Sequence, residues 1–140
     1  MLNDIQIGFG GYCEAVRDFT GPVIEAQGKE IPQTPQEMSP MAADFLCQMI
    51  KDELEEFAQA KSTADQADAM VDIVYYIMDT AIRHGINLDS VFAAVHIANM
   101  TKVIDGKVIL REDGKVEKPE GFRHPNIENI IEAQKQEGSW

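Results

Sequence analysis

The 140-residue chain has few basic residues, two cysteines and no long apolar run. Lysine and arginine number 12 against 24 acidic residues, which gives a formal net charge of -12. Nucleic-acid phosphates and anionic membrane surfaces attract basic proteins, so this charge argues against both as partners. No apolar run approaches the roughly 20 residues that a membrane-spanning helix needs, so we expect a soluble protein.

Cysteine and histidine are too sparse for the metal sites usually built from them. Cys13 and Cys47 are not at CxxC spacing, so we expect two buried, reduced thiols in a cytoplasmic protein. No histidine follows a glutamate by three positions, which excludes the Glu-x-x-His pairs of ferritin-like di-iron proteins. The length and the 44% hydrophobic content predict a single domain over residues 1–140 with one core.

The sequence does contain a concentration of acids in residues 51–76, which we interpret as two helices separated by a short break. The first helix is predicted over about residues 40–60. Its apolar stripe includes Phe45, and extending the stripe by the helical period reaches Glu53 and Glu56. An uncompensated buried carboxylate is costly or takes up a proton, so these two acids need a partner.

The second helix is predicted over about residues 64–84. Asp65, Asp68 and Asp72 fall within an arc of roughly 60° on it, and no lysine or arginine precedes Arg83 to neutralise them. Mg²⁺ prefers oxygen ligands and retains several waters, so a few carboxylates plus a bound phosphate chain would suit it. Each helix alone is equally compatible with a solvated acidic face.

The remaining segments predict shorter elements. A short helix over residues 12–19 ends at a Thr-Gly-Pro sequence, and another helix runs over 87–102 behind an asparagine cap. A polar terminal helix is predicted over 126–136, followed at 138–140 by an exposed end or a partner contact. The GFGG sequence at 8–11 lacks the full glycine fingerprint and a following lysine, so we interpret it as a flexible lead-in.

Short motifs in this chain resemble those of a known enzyme superfamily. ELEE at residues 53–56 and DAMVDIVYY at 68–76 are similar to the metal motifs of all-α nucleoside triphosphate pyrophosphohydrolases. That superfamily includes MazG proteins, dimeric dUTPases, dCTP pyrophosphatases and phosphoribosyl-ATP pyrophosphohydrolases. ANMTK at 98–102 and GKVEKPEGFRHP at 114–125 resemble the last of these branches. The resemblance covers roughly residues 40–125.

The resemblance implies an all-α fold with a MazG-like four-helix core and a site for Mg²⁺, with Mn²⁺ as a substitute. The implied metal ligands are Glu53, Glu56, Asp68 and Asp72, with Asp52 and Asp65 as further candidates. Ala69 stands where many members place a glutamate. The operative acid pair on the second helix is therefore either Asp68 with Asp72 or Asp65 with Asp68.

Further residues acquire implied roles. Glu53 is the leading candidate for the catalytic base, and Tyr76, Asn99 and Lys102 for substrate binding. A tyrosine at the core edge, a capping asparagine and a lysine complementing the helix dipole would explain the last three equally well. Residues 107–118 predict a short β-hairpin, which is either a basic flap over a triphosphate or a solvated turn.

The function implied by the resemblance is Mg²⁺-dependent cleavage of a (deoxy)nucleoside triphosphate to the monophosphate and pyrophosphate. House-cleaning of dUTP or a non-canonical deoxynucleotide by a homodimer or homotetramer is the expected role. One alternative is the phosphoribosyl-ATP pyrophosphohydrolase of histidine biosynthesis. Another, of a different class, is a helical interaction module without enzymatic activity.

Overall fold

The computed structural model describes residues 10–140, which form five α-helices and no β-sheet. These are α1 (Tyr12–Ala26), α2 (Pro40–Gln59), α3 (Thr63–Arg83), α4 (Leu88–Met100) and α5 (Ile127–Glu137). Helix α3 is central because α1 and α2 both pack against it, while α4 packs against α1 and α5 against α4. The predicted all-α class is confirmed. The predicted lead-in at 8–11 lies partly outside the described residues.

Side-chain caps explain where the helices begin. Helices α2 and α4 start where the sequence predicts, behind Ser39 and Asn87, whose side-chain oxygens accept backbone N–H bonds from the first turn. Helix α3 starts one residue earlier than the predicted residue 64, because Ser62 is its N-cap. The Ser62 hydroxyl oxygen accepts a 3.0 Å bond from the Asp65 N–H. Within residues 10–140, no helix combines the length and apolarity needed to cross a membrane.

Helix α1 is longer than the sequence predicts, because it continues past Pro22 instead of ending before it. A proline inside a helix removes one N–H and crowds the preceding turn, at a cost of about 3 kcal/mol. Tertiary packing offsets this cost on the opposite face. Thr20 is fully buried and Ile24 is 3% exposed, and the Thr20 hydroxyl donates a 2.7 Å hydrogen bond to Asp79 of α3.

The buried core is small and lies between α1 and α3. Cys13, Val16 and Ile82 form its centre. Cys13 is buried as predicted, but the prediction of a second buried thiol is wrong, because Cys47 on α2 is exposed. Helix α2 has no buried residue, and Phe45 on its apolar stripe is 62% exposed. The reason is that α2 packs substantially against α3 alone, which leaves the rest of its apolar surface uncovered in the single chain.

The last residues dock onto the core, so of the two alternatives predicted for 138–140 the exposed end is wrong, while the partner contact stays a prediction. The Ser139 hydroxyl donates to the carbonyl oxygen of Gly85, in the turn after α3. The Trp140 indole N–H donates to the carbonyl oxygen of Pro32 at 3.2 Å, and its ring packs against the core. These contacts depend on backbone acceptors far away in sequence, for which the sequence carries no local signal.

The predicted β-hairpin over 107–118 does not form strands. This segment contains one isolated antiparallel bridge, between Leu110 and Val116, and a second lies at residues 104–107. Ile109 and Leu110 are 62% and 61% exposed, so the segment has no buried apolar face. A two-stranded ribbon without such a face is marginal in water, which explains why the pairing stops at single bridges.

Candidate active site

The predicted metal ligands lie on α2 and α3, which pack against each other after the short turn at residues 60–62. Glu53 is half-buried, and its Oε2 atom is shielded from solvent without a hydrogen-bond partner among the described residues. Asp72 is also half-buried, whereas Glu56 and Asp68 are exposed. The helical period places both glutamates on one stripe, but only Glu53 lies under the neighbouring helix.

The acids of both helices influence Glu53. Desolvation raises the pKa of the Glu53 carboxyl above its ordinary value, and the negative charges of Glu56, Asp72 and Asp68 and a side-chain hydrogen bond with Glu56 raise it further. These charges come from α2 and α3 together, so the acids of the two motifs are close enough to repel one another. A cation bound between them would reverse this effect, because it favours the ionised form of each carboxylate.

The donor set fits Mg²⁺ in chemistry, although the side chains do not form a ready-made cage. Among the residues from 10 onward, no three acidic, histidine or cysteine side chains converge closely enough to hold an ion as they stand. Mg²⁺ sites usually contain one or two carboxylates, several waters and substrate phosphates, so convergence of three is not required. The shielded, unpartnered oxygen of Glu53 is the feature that matches a cation.

The additional candidate ligands are less closely associated with Glu53. The Asp52 carboxylate accepts a 2.7 Å hydrogen bond from the Gln48 side-chain amide on the exposed side of α2. Asp65, in the first turn of α3, is exposed and is not among the charges that raise the pKa of Glu53. Asp68, which belongs to both predicted acid pairs, and Asp72 are the acids of α3 whose charges raise the pKa of Glu53.

Asn99 and Lys102, the predicted substrate contacts at the end of α4, bind each other. The Lys102 ammonium donates a 2.9 Å hydrogen bond to the Asn99 side-chain oxygen and lies 5.3 Å from the ring centre of Phe122. Neither residue lines the cavity beside Glu53. Asn99 and Lys102 form a pair of polar groups, but this chain does not bring them together with the acids.

A cavity of about 310 Å³ opens beside the acids, and residues of α1, α2 and α3 line it. Glu53 and Asp72 contribute carboxylates to its wall. Tyr76, one turn after Asp72, also lines it. Phe19 of α1 and Tyr75 add an aromatic wall in which the ring centres are 6.0 Å apart and the planes are inclined at 70°. Acidic and aromatic groups thus share one concave surface.

The same cavity continues to an ion pair that the sequence analysis does not identify. The Arg83 Nε atom donates to Asp79 Oδ2 at 2.8 Å, and Arg83 Nη1 donates to the Gln27 side-chain oxygen at 3.0 Å. Extending the helical period from Asp72 by seven and eleven residues places Asp79 and Arg83 on the same face, so the signal was available. Their contacts with Thr20 and Gln27 could not be predicted, because the sequence predicts that the first helix ends at residue 19.

Comparison with known proteins identifies the relevant family. The family described as phosphoribosyl-ATP pyrophosphohydrolase matches residues 23–99, which is more than half of the chain. The matched region contains α2, α3 and every acid of the two motifs. Phe19 and residues 100–140 lie outside it. A comparison with curated proteins finds no match.

Proposed function

Because the chain belongs to the phosphoribosyl-ATP pyrophosphohydrolase family, within the all-α MazG-like superfamily, we propose that it hydrolyses a nucleoside triphosphate to the monophosphate and pyrophosphate. Members of this family are hydrolases that act on phosphoric anhydrides. Family membership therefore favours an enzyme over the interaction module that the sequence left open. The specific reaction proposed is hydrolysis between the α and β phosphates.

The observation that carries the proposal is the state of Glu53. Its shielded oxygen lacks a hydrogen-bond partner, and acids of two helices raise the pKa of its carboxyl. A purely structural glutamate in this position would be expected to have a hydrogen-bonding or cationic partner. The cavity beside it supplies space for a substrate that brings both the phosphates and the cation.

The residues have distinct roles in the proposed mechanism. Glu53, Glu56, Asp68 and Asp72 would hold a divalent cation, which would neutralise the charge that develops on the triphosphate. Glu53 also orients the attacking water and accepts its proton. Tyr76 and the aromatic wall pack against the nucleoside and keep bulk water away from the reacting phosphate. Mg²⁺ is the proposed ion and Mn²⁺ its substitute.

The substrate is proposed to be dUTP or a non-canonical deoxynucleotide, and phosphoribosyl-ATP is the alternative. Both substrates contain the same phosphate chain, so the acids alone do not distinguish them. Assaying phosphoribosyl-ATP beside a panel of deoxynucleoside triphosphates separates the two by their kcat/KM values. The family description favours pyrophosphate release from either substrate.

We further propose a homodimer or homotetramer in the cytoplasm. The support for assembly is the uncovered apolar surface: Met41 is 82% exposed, Phe92 72% and Ile97 65%. Large exposed apolar patches mark interaction surfaces in proteins. The two free thiols agree with a reducing compartment. Sedimentation or light scattering would determine the number of subunits.

The central test compares Glu53→Gln with Glu55→Gln. Glu55 lies on the same helix but is exposed and carries no proposed role, so it is a matched control for the loss of one charge. Pyrophosphate release, measured with a coupled pyrophosphatase and with or without Mg²⁺, should fall by about 10²-fold or more for Glu53→Gln only. Undiminished turnover of Glu53→Gln would remove Glu53 from the mechanism.

A binding measurement complements the turnover assay. Mg²⁺ with a non-hydrolysable triphosphate should raise the melting temperature of the wild-type protein, because a ligand at about 100 times its Kd stabilises the folded state by about 2.7 kcal/mol. Glu55→Gln should retain this rise and Glu53→Gln should lose most of it. The absence of any rise in the wild-type protein would contradict the proposed function.

A further inference from the structure

Arg83 is held in one orientation although it takes no part in the proposed chemistry. Its guanidinium donates to Asp79 from one side and to Gln27 from another, at 2.8 Å and 3.0 Å. Asp79 is itself fixed by the buried hydroxyl of Thr20. The Arg83 side chain is only 32% exposed, and it lines the cavity that also contains Glu53. A long, flexible side chain has thus been immobilised at the wall of the cavity.

The pairing with Asp79 determines what Arg83 can recognise. A free guanidinium favours phosphates, but the Asp79 carboxylate already compensates this positive charge. The remaining N–H groups can still donate hydrogen bonds, and arginine has no acceptor to offer. A guanidinium that is fixed in place and whose charge is already compensated suits a neutral oxygen acceptor rather than a phosphate dianion. An amino group of a ligand, placed where that oxygen acceptor would lie, would face only the N–H donors of Arg83.

The position of Arg83 along α3 suits the far end of a bound nucleotide. Asp72 and Arg83 are eleven residues apart, which corresponds to about 16 Å along the helix axis. Phosphates held near Asp72 would place the nucleoside beside Tyr76 and the Phe19–Tyr75 aromatic wall, which all line the same cavity. The outer edge of the base would then lie closest to Arg83.

We propose that Arg83 is a specificity-determining residue, which selects bases that present an exocyclic oxo group over bases that present an amino group. The proposal rests on the pyrophosphohydrolase function above and narrows its substrate class to nucleotides of the uracil and hypoxanthine type. Asp79 and Gln27 are positioning residues in this scheme. They hold the guanidinium so that its free N–H groups face the base.

Two matched substrate pairs test the proposal. Deoxyuridine and deoxycytidine triphosphates differ in oxo against amino at one ring carbon, and deoxyinosine and deoxyadenosine triphosphates differ in the same way. The wild-type enzyme should prefer the oxo member of each pair by about 10- to 100-fold in kcat/KM, the usual value of a hydrogen bond to a charged group. Arg83→Gln should reduce both ratios about tenfold or more, because glutamine can accept as well as donate.

Arg123→Gln is the control, since Arg123 is exposed and lies outside the cavity. It should keep both wild-type ratios. Equal use of the two members of each pair by the wild-type enzyme, or a preference for the amino member, would overturn the proposal even if Arg83→Gln failed to fold. Unchanged ratios in a folded Arg83→Gln would also overturn it.

The outcomes separate this inference from the function on which it rests. Pyrophosphate release that depends on Glu53 but not on the exocyclic group of the base would leave the hydrolase intact and refute the role of Arg83. Efficient hydrolysis of phosphoribosyl-ATP and of no other nucleotide would likewise leave the hydrolase intact and refute the role of Arg83. No pyrophosphate release from any nucleotide would refute both.

Discussion

Replacing Thr20 by valine should destabilise the protein even though the two side chains have nearly the same shape. Thr20 is fully buried and donates a 2.7 Å hydrogen bond to the Asp79 carboxylate. A hydrogen bond to a charged group contributes about 1.5–3 kcal/mol, and the extra buried methyl group of valine offsets about 0.8 kcal/mol. The net loss is about 1–2 kcal/mol. For a chain of this length, this corresponds to a fall of about 3–7 °C in melting temperature.

A double-mutant cycle identifies the cause of that loss. Thr20→Val, Asp79→Ala and the double variant are unfolded thermally and in urea, in the presence of a chelator. If the hydrogen bond is responsible, Thr20→Val should cost almost nothing once Asp79 is absent, and the coupling energy should be about 1 kcal/mol or more. A coupling energy below about 0.5 kcal/mol would refute the proposed link between α1 and α3.

Further predictions concern Glu53, the thiols and the tryptophan. Because the folded-state pKa of Glu53 is raised, its ionised form destabilises the metal-free fold; this cost is complete above the folded pKa and disappears as the pH falls below the unfolded value. Without metal, Glu53→Gln should therefore melt above the wild type at pH 7.5, and the difference should shrink towards pH 5; a constant difference would contradict the repulsion. Ellman's reagent should label one thiol rapidly, namely the exposed Cys47, and Cys13 only on unfolding, because burial shields its thiol and raises its pKa; Cys47→Ser should abolish the rapid phase. Trp140→Ala should cost about 2 kcal/mol, less than a fully buried tryptophan, and urea unfolding monitored by circular dichroism would measure it; unchanged stability would contradict the docked tail.

Local rules predicted those helices whose ends are set by nearby residues. Helix α2 follows from a periodic apolar pattern and helix α4 from its asparagine cap, and α3 ends before Gly85, whose φ of +67° favours glycine. The rules were wrong where distant packing decided the outcome. Pro22 should end α1 on local grounds, yet burial of Thr20 and Ile24 against the neighbouring helices carries the helix onward. Trp140 likewise depends on an acceptor more than one hundred residues away.

The candidate site was also predicted only in part from the sequence. Glu53 could be identified because an acid on an apolar stripe is unusual within a single helix, and the resemblance to known motifs added the acids of α3. The environment that makes Glu53 distinctive depends on how α2 and α3 meet, which periodicity does not describe. Arg83 was missed because its significance comes from its contacts with Asp79 on the same helix and with Gln27 in the turn after α1.

The exposed surface of α2 has a consequence for how the activity of the protein is assayed. This helix carries Glu53 and Glu56 but has no residue buried within its own chain. If neighbouring copies supply the missing cover, the geometry of the two glutamates depends on subunit association. Rates per chain should then decline when the enzyme is diluted to nanomolar stocks, and recover on reconcentration, so activities need to be compared at matched protein concentration.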